Sequence, residues 1–193
     1  MELIFATNNQ HKLEEVQSLI GSEFNLKSLN DMGYSEDIPE TGHTFKANAS
    51  QKTHFIFEHF NMNCFADDSG LEIDALNGEP GVYSARYSGS RDPKKNLELV
   101  LEKMQNLNNR KARFKTVISL MLNGKEYFFD GIAEGVITEN QSGSEGFGYD
   151  PIFKPDGYEH TFAEMSLSEK NRISHRAKAM EKLISFLKEI QQS

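Results

Sequence analysis

Thr7-Asn8-Asn9-Gln10-His11-Lys12 brings together a hydroxyl, three amides, an imidazole and an ammonium between a short apolar run and a helical pattern. A helix N-terminus carries unpaired N–H groups and partial positive charge, so such a segment suits phosphate. It lacks the G-x-x-x-x-G-K-[ST] spacing of a Walker loop. The same residues also suit an ordinary Thr/Asn N-cap. Asp67-Asp68-Ser69-Gly70 sets two carboxylates side by side, which repel unless a cation or a proton compensates them. Neighbours in a strand point to opposite faces, so one of the two is expected to reach a given ligand. Glu40, in the preceding loop, could complete an oxygen-rich Mg²⁺ site with them. A solvated Asp-Ser-Gly turn is the plainer alternative.

Two further segments suit a nucleotide. In Gly146-Phe147-Gly148-Tyr149-Asp150-Pro151, glycines beside an aromatic would let Phe147 lie on a planar group such as a nucleobase, unless it is only a packing anchor. Lys170-Asn171-Arg172-Ile173-Ser174-His175-Arg176 lies in a stretch, Ser166 to Gln191, with six Lys/Arg against three Asp/Glu. His175 falls off the apolar stripe of the helix expected there, so Lys170, His175 and Arg176 could converge on an anion; a solvated basic face is the alternative. Ser174 and His175, as helix neighbours, do not face each other and make no catalytic pair. Cys64 reads as a small core residue. His54 and His59 are five residues apart, which is not the spacing of a helical metal pair.

These segments need a scaffold, and the apolar periodicity supplies one. Leu3 to Ala6 reads as a strand, His11 to Ile20 as a helix with Leu13, Val16 and Ile20 on one side, and Phe24 to Leu29 as a second strand. Strand–helix–strand is the signature of an α/β domain, with a βαβ crossover as one option. Thr44 to Phe60 predicts a helix with Phe45, Ala49, Ile56 and Phe60 inward. Cys64 to Ala66 reads as a very short strand that stops at the paired aspartates. Pro93 opens a helix carrying Leu97, Val100, Leu101 and Met104. Phe114 to Leu122 and Glu126 to Ile137 read as strands joined at Asn123-Gly124, a strong hairpin signal. A long helix from about Ser168 or Asn171 is expected to turn Ile173, Ala177, Met180, Ile184, Leu187 and Ile190 inward. No repeat or linker interrupts the chain, so one domain, residues 1–193, is expected.

The composition bounds the function. With 21 Lys+Arg against 29 Asp+Glu, the chain has a formal charge of −8. That argues against nucleic-acid or anionic-membrane binding, both of which want a basic face. No run approaches the ~18 apolar residues of a membrane-spanning helix. Met1-Glu2-Leu3-Ile4-Phe5 lacks a basic n-region, so no secretory signal is expected. A single cysteine forbids an internal disulfide or a multi-Cys zinc site. A cytoplasmic location is expected.

In order along the chain, these segments resemble the inosine triphosphate pyrophosphatase family, the dITP/XTP pyrophosphatases. The resemblance rests on Thr7-Asn8-Asn9 with Lys12, and on Glu40-Thr41-Gly42-His43-Thr44-Phe45 with Asn48-Ala49 and Lys52. It continues through Ala66-Asp67-Asp68-Ser69-Gly70-Leu71, Gly78 to Tyr87, Gly146 to Phe153, and Ser174-His175-Arg176. Asn8 stands where many members have glycine, and Thr53 where they have alanine. The resemblance implies an elongated α/β fold with a central mixed sheet flanked by helices, two lobes around a substrate cleft, and a homodimer. It implies Mg²⁺-dependent hydrolysis of a non-canonical purine nucleoside triphosphate (ITP, dITP or XTP) to the monophosphate and pyrophosphate. By position, Asp68 would be the general base and a metal ligand, with Glu40 the other ligand. Residues 7–12, Lys52, Ser69, Phe147, Gly148, Tyr149, Asp150, Lys170, His175 and Arg176 would bind substrate.

Chemistry is compatible with those roles. Lys12, Lys52 and Lys170 could neutralise the triphosphate. His175 or Arg176 could donate to a 6-oxo group while Asp150 accepts N1–H, a pattern that adenine reverses. Guanine shares it, and nothing in the sequence shows how GTP is excluded. Two alternatives stay open. One is a Maf-like pyrophosphatase, related in architecture but preferring other bases, and the Ser-His-Arg helix and the Phe147 loop speak against it. A non-catalytic nucleotide sensor would have no use for Asp67, Asp68 and Glu40 together.

Overall fold

The computed structural model describes residues 1–192. Its elements run β1 (Glu2–Phe5), α1 (Gln10–Ile20), β2 (Asn25–Ser28), α2 (Phe45–Phe60), β3 (Cys64–Ile73), α3 (Pro93–Lys103), β4 (Lys111–Leu122), β5 (Lys125–Ile137), β6 (Phe153–Pro155), α4 (Leu167–Lys170) and α5 (His175–Gln192), with short 3₁₀ turns between. The six strands form one mixed sheet in the order β2-β1-β3-β4-β5-β6. β1 pairs in parallel with both β2 and β3, so β1-α1-β2 is a true crossover unit, as parallel neighbours require. β5 and β6 are antiparallel. β4 and β5 are joined by Asn123-Gly124, and both residues take the positive φ that a tight hairpin demands.

The chain divides into two compact units. Unit 1 holds Met1–Asp68, Thr116–Gly131 and the chain from Arg176; unit 2 holds Ser69–Lys115 and Ile132–His175. Neither is continuous, because β3, β4 and β5 each pass from one unit to the other. That is why no linker marks a boundary in the sequence.

In unit 1, β1 is buried on both faces, as a parallel strand should be. Leu3 and Phe5 pack with Val16 and Ile20 of α1 and with Met180, Leu183 and Leu187 of α5. Ile4 and Ala6, on the opposite face, pack with Ile56 of α2 and with Cys64. Cys64 is fully buried and burial pushes its thiol up to about 12, which suits a core residue and not a nucleophile. In unit 2, Leu97 and Val100 of α3 and Met104 at its C-cap join Leu71, Ile73, Phe114, Phe153 and Phe162 in a second core. Among the described residues, no helix is long and apolar enough to cross a membrane.

Two expectations need correction. The strand at Cys64 does not end at the aspartates; β3 runs through Asp67-Asp68-Ser69-Gly70 to Ile73. Buried cations and an amide compensate both carboxylates, so the chain has no need to turn them out to water. The single C-terminal helix is in fact two. Ser166 caps α4 reciprocally with Glu169, and Asn171 to Ser174 interrupt the helix before α5 begins at His175. Asn and Ser at the break are residues whose side chains compete with helical backbone bonds. The inward stripe of α5 shifts accordingly to Ala179, Met180, Leu183 and Leu187, while Ile190 is exposed.

Candidate active site

The densest charge cluster lies in unit 1, where β1, α1, α2, β3 and the start of α5 meet. Asp67 and Asp68 point to opposite sides of β3, and each has its own partners. Lys12 Nζ, on α1, sits 3.1 and 3.0 Å from the two oxygens of Asp67. The guanidinium of Arg176 approaches Asp67 Oδ2 through Nε at 3.3 Å and Nη2 at 3.2 Å, while its Nη1 bonds Glu15. Arg176 is 1% exposed, and Glu15 and Asp67 are buried with it. On the other side, Asn48 Nδ2 donates to Asp68 Oδ2 at 2.8 Å. Lys52 Nζ joins the loop to the strand, reaching Glu40 at 2.5 Å and the carbonyl of Asp67 at 2.6 Å.

Burial and neighbours set the charges. Burial pushes the Asp68 carboxyl above the usual aspartate range, and nearby Glu40 adds to that; Lys52, Lys12 and the Asn48 bond oppose it without prevailing. Burial would also raise Glu40, but the charge and hydrogen bond of Lys52 hold it below the ordinary value. Lys52 is held up in turn, because Glu40, Asp67 and Asp68 outweigh its burial. Lys12 is pulled down, since desolvation exceeds the attraction of Asp67 and Lys52 and Arg176 repel it. The protonated form of Asp68 is thereby favoured relative to a free aspartate.

Residues 7–11 lead from β1 into α1, the helix that carries Lys12. Asn9 caps α1, its Oδ1 accepting from Lys12 N–H at 3.2 Å, so the N-cap reading and the phosphate-loop reading apply to one segment. Thr7 Oγ1 accepts from the Asn9 N–H at 3.1 Å, and Asn8 Nδ2 donates to the carbonyl of Glu36 at 2.9 Å. Gln10 bonds Glu14, and His11 is exposed. Ser69 follows Asp68 on β3 and is half-buried.

Unit 2 holds the aromatic loop. Asp150 Oδ2 accepts from Lys170 Nζ at 2.6 Å and from the Phe147 N–H at 2.9 Å, which closes the loop on itself. Gly146 has φ +71°, and a Cβ there would lie 2.0 Å from that same oxygen, so only glycine permits the closure. Lys170 Nζ lies 5.1 Å from the centre of the half-buried Phe147 ring, a cation–π distance. Gly148 follows Phe147 with φ +64°. Tyr149 donates its hydroxyl to the carbonyl of Ser84 at 2.8 Å. His175 stacks on Phe114, with centroids 4.7 Å apart and planes 11° from parallel.

The expected sharing of roles changes in three places. Lys12 and Lys52 come together, but Lys170 is held by Asp150 in unit 2, and Arg176 takes its place in the charge cluster. Arg176, expected to read a base, has its guanidinium on Glu15 and Asp67. Successive helix residues point ~100° apart, so His175 and Arg176 at the start of α5 enter different surroundings. Asp150, expected to accept from a base, already uses Oδ2 to hold its own loop. Glu15 and Asn48 received no role from sequence, yet both lie in the cluster. The signal for Glu15 was a carboxylate beside the apolar stripe of α1, where burial demands a cation.

The donor set suits a hard divalent cation. Among the described residues, no three His, Cys, Asp or Glu side chains form a ready-made cage. Mg²⁺ is commonly held by one or two carboxylates plus substrate phosphates, and Glu40 and Asp68 are the carboxylates that could hold one here. The charge balance agrees. Three cationic groups (Lys12, Lys52, Arg176) face four carboxyl groups (Glu15, Glu40, Asp67, Asp68), so the cluster carries no excess of positive charge and has room for a cation.

Known proteins match nearly the whole length of the chain. The Ham1 family model matches residues 3–186. A dITP/XTP pyrophosphatase of Flavobacterium johnsoniae is 50% identical, covering 97% of this chain and 98% of that one. The Bacillus subtilis dITP/XTP pyrophosphatase is 43% identical over 96% of each. The structure of a HAM1 protein from Coxiella burnetii superposes with a TM-score of 0.89 at 38% identity, covering 98% of this chain and 99% of that one. The chain belongs to the Ham1 family.

Proposed function

We propose that this protein hydrolyses non-canonical purine nucleoside triphosphates (dITP, XTP and ITP) to the monophosphate and pyrophosphate, and so removes them from the nucleotide pool. The observation that carries the reading is the buried cluster of Lys12, Lys52 and Arg176 with Glu40, Asp67 and Asp68. Relatives named dITP/XTP pyrophosphatase at 43–50% identity support the substrate class.

The residues divide the work by chemistry. Lys12 and Lys52 bind phosphate oxygens and offset the charge that builds at the α-phosphorus. Asp68 accepts a proton from the attacking water as the new P–O bond forms and the α–β bridging bond breaks, releasing pyrophosphate. Glu40 and Asp68 would hold Mg²⁺, which when bound supplies positive charge to the triphosphate and acidifies bound water. Arg176 keeps Asp67 in place, and Asp67 keeps Lys12 in place. In unit 2, Phe147 offers a face for a purine, and the cationic Lys170 lies beside it. Dimerisation and a cytoplasmic location belong to the same reading and rest on likeness to the family.

A panel of ITP, dITP, XTP, GTP and ATP, each with Mg²⁺ and with a chelator, tests the reading. We expect Mg²⁺-dependent turnover of the first three, well above the last two. Binding without turnover would favour a nucleotide sensor instead.

A further inference from the structure

We propose that Asn48 is a positioning residue for the reaction, fixing the orientation of the Asp68 carboxylate against the loop that carries Glu40. The inference rests on Asp68 being the base. Asn48 lies in the first turn of α2, which Thr44 caps, and it is 0% exposed. Its amide is used at both ends: Nδ2 donates to Asp68 Oδ2 at 2.8 Å, and Oδ1 accepts from the Gly42 N–H at 2.8 Å. The two contacts differ in polarity, so the amide has one orientation only. Flipping it would set Oδ1 against a carboxylate and an NH₂ group against an N–H. Aspartate in the same place would lose the donor that Asp68 needs, and leucine would lose both bonds.

The contact also ties two parts of the cluster together. Gly42 lies two residues beyond Glu40, whose carboxylate bonds Lys52 Nζ, and Lys52 bonds the carbonyl of Asp67. Loop, helix and strand are thereby closed into a ring through Gly42, Asn48, Asp68 and Lys52. The closeness of this packing appears at Gly42. A Cβ there would meet Asn48 Oδ1 at 2.8 Å and Ala47 Cβ at 2.8 Å. Glycine is needed here for the space it leaves, and replacing it gives a way to disturb Asn48 without touching Asn48 or Asp68. A base misplaced by about 1 Å is enough to cost ~100-fold in rate.

The test is a double-mutant cycle on kcat for ITP at saturating Mg²⁺, with Asn48→Ala, Asp68→Asn and the pair. Gly42→Ala is a second, independent disturbance of the same amide, and thermal melts confirm that each variant is folded. If Asn48 acts through Asp68, Asn48→Ala and Gly42→Ala each lower kcat by ~10–100-fold. KM stays within about threefold, because neither residue is assigned to substrate. Adding Asn48→Ala to Asp68→Asn then lowers kcat no further. A merely structural role predicts additive losses or a change in KM, and either would overturn the inference. Full kcat in both Asn48→Ala and Gly42→Ala would also overturn it while leaving the pyrophosphatase reading intact. Wild-type turnover in Asp68→Asn would instead remove the base assignment, and the inference with it.

Discussion

Arg176→Ala offers a sharp check on the charge cluster. The guanidinium is 1% exposed and serves two carboxylates, Glu15 and Asp67, which are themselves only 4% and 2% exposed. Removing it leaves buried negative charge without that cation. Breaking one side of a buried ion pair costs ~3–5 kcal/mol. Asp67 keeps Lys12 at 3.0 Å, which argues for the lower half of that range. At roughly 2–4 °C per kcal/mol for a chain of this size, the expected loss is ~6–16 °C in Tm. Arg176→Lys retains the charge but cannot fork between two acids, so an intermediate loss is expected. The assay is a thermal melt followed by circular dichroism, repeated in urea to give the free energy. A Tm within ~2 °C of wild type would mean that Arg176 is not the cation holding Glu15 and Asp67.

Other substitutions separate the roles. Asp68→Asn should lower kcat by ~10²–10⁴, the usual scale for a lost base, measured with ITP and Mg²⁺. It should not destabilise the fold at neutral pH in magnesium-free buffer. Because burial raises the folded-state pKa of Asp68 above 3.8, its favourable contribution is full below 3.8 and is lost as pH rises through the raised value. The amide escapes that loss, so the stability advantage of Asp68→Asn should shrink on acidification, and an advantage that grows would contradict the shift. Phe147→Ala should weaken ITP binding by ~1–3 kcal/mol through lost stacking, read from KM. Lys12→Ala should weaken ITP and ATP about equally. If Lys12→Ala instead changes the ITP/ATP ratio of kcat/KM by more than about threefold, its confinement to phosphate recognition is wrong.

The scaffold was largely legible in the sequence because its periodicities are local. Leu3 to Phe5, the α2 stripe and the Asn123-Gly124 hairpin each announce their element within a dozen residues, and the structure places them there. Two of the polar segments singled out in sequence do meet in the structure, Lys12 of the first with Asp67 of the second. What sequence did not reveal was which groups share a partner. β3 reads as ending at Asp67 because two adjacent carboxylates look solvated, and the partners that make their burial tolerable, Lys12, Lys52, Asn48 and Arg176 among them, lie far apart in the chain. Arg176 reads as a ligand-facing residue of one basic helix. The break at Asn171 to Ser174 instead separates Lys170 from it, and the ~100° step between successive helix residues sends the neighbouring His175 onto Phe114. Glu15 was passed over, and Asn48 was noted only within a family motif, for the same reason: their roles lie in contacts across 161 and 20 residues of sequence.

The central claim is attack at the α-phosphorus by a water that Asp68 deprotonates. Hydrolysis of ITP in ¹⁸O-labelled water, followed by mass spectrometry of both products, tests it most directly. One labelled oxygen in the nucleoside monophosphate, with unlabelled pyrophosphate, is the predicted result. Label in the pyrophosphate would place the attack on the β-phosphorus, and release of orthophosphate would place the cleavage at another bond. Either outcome would contradict the account.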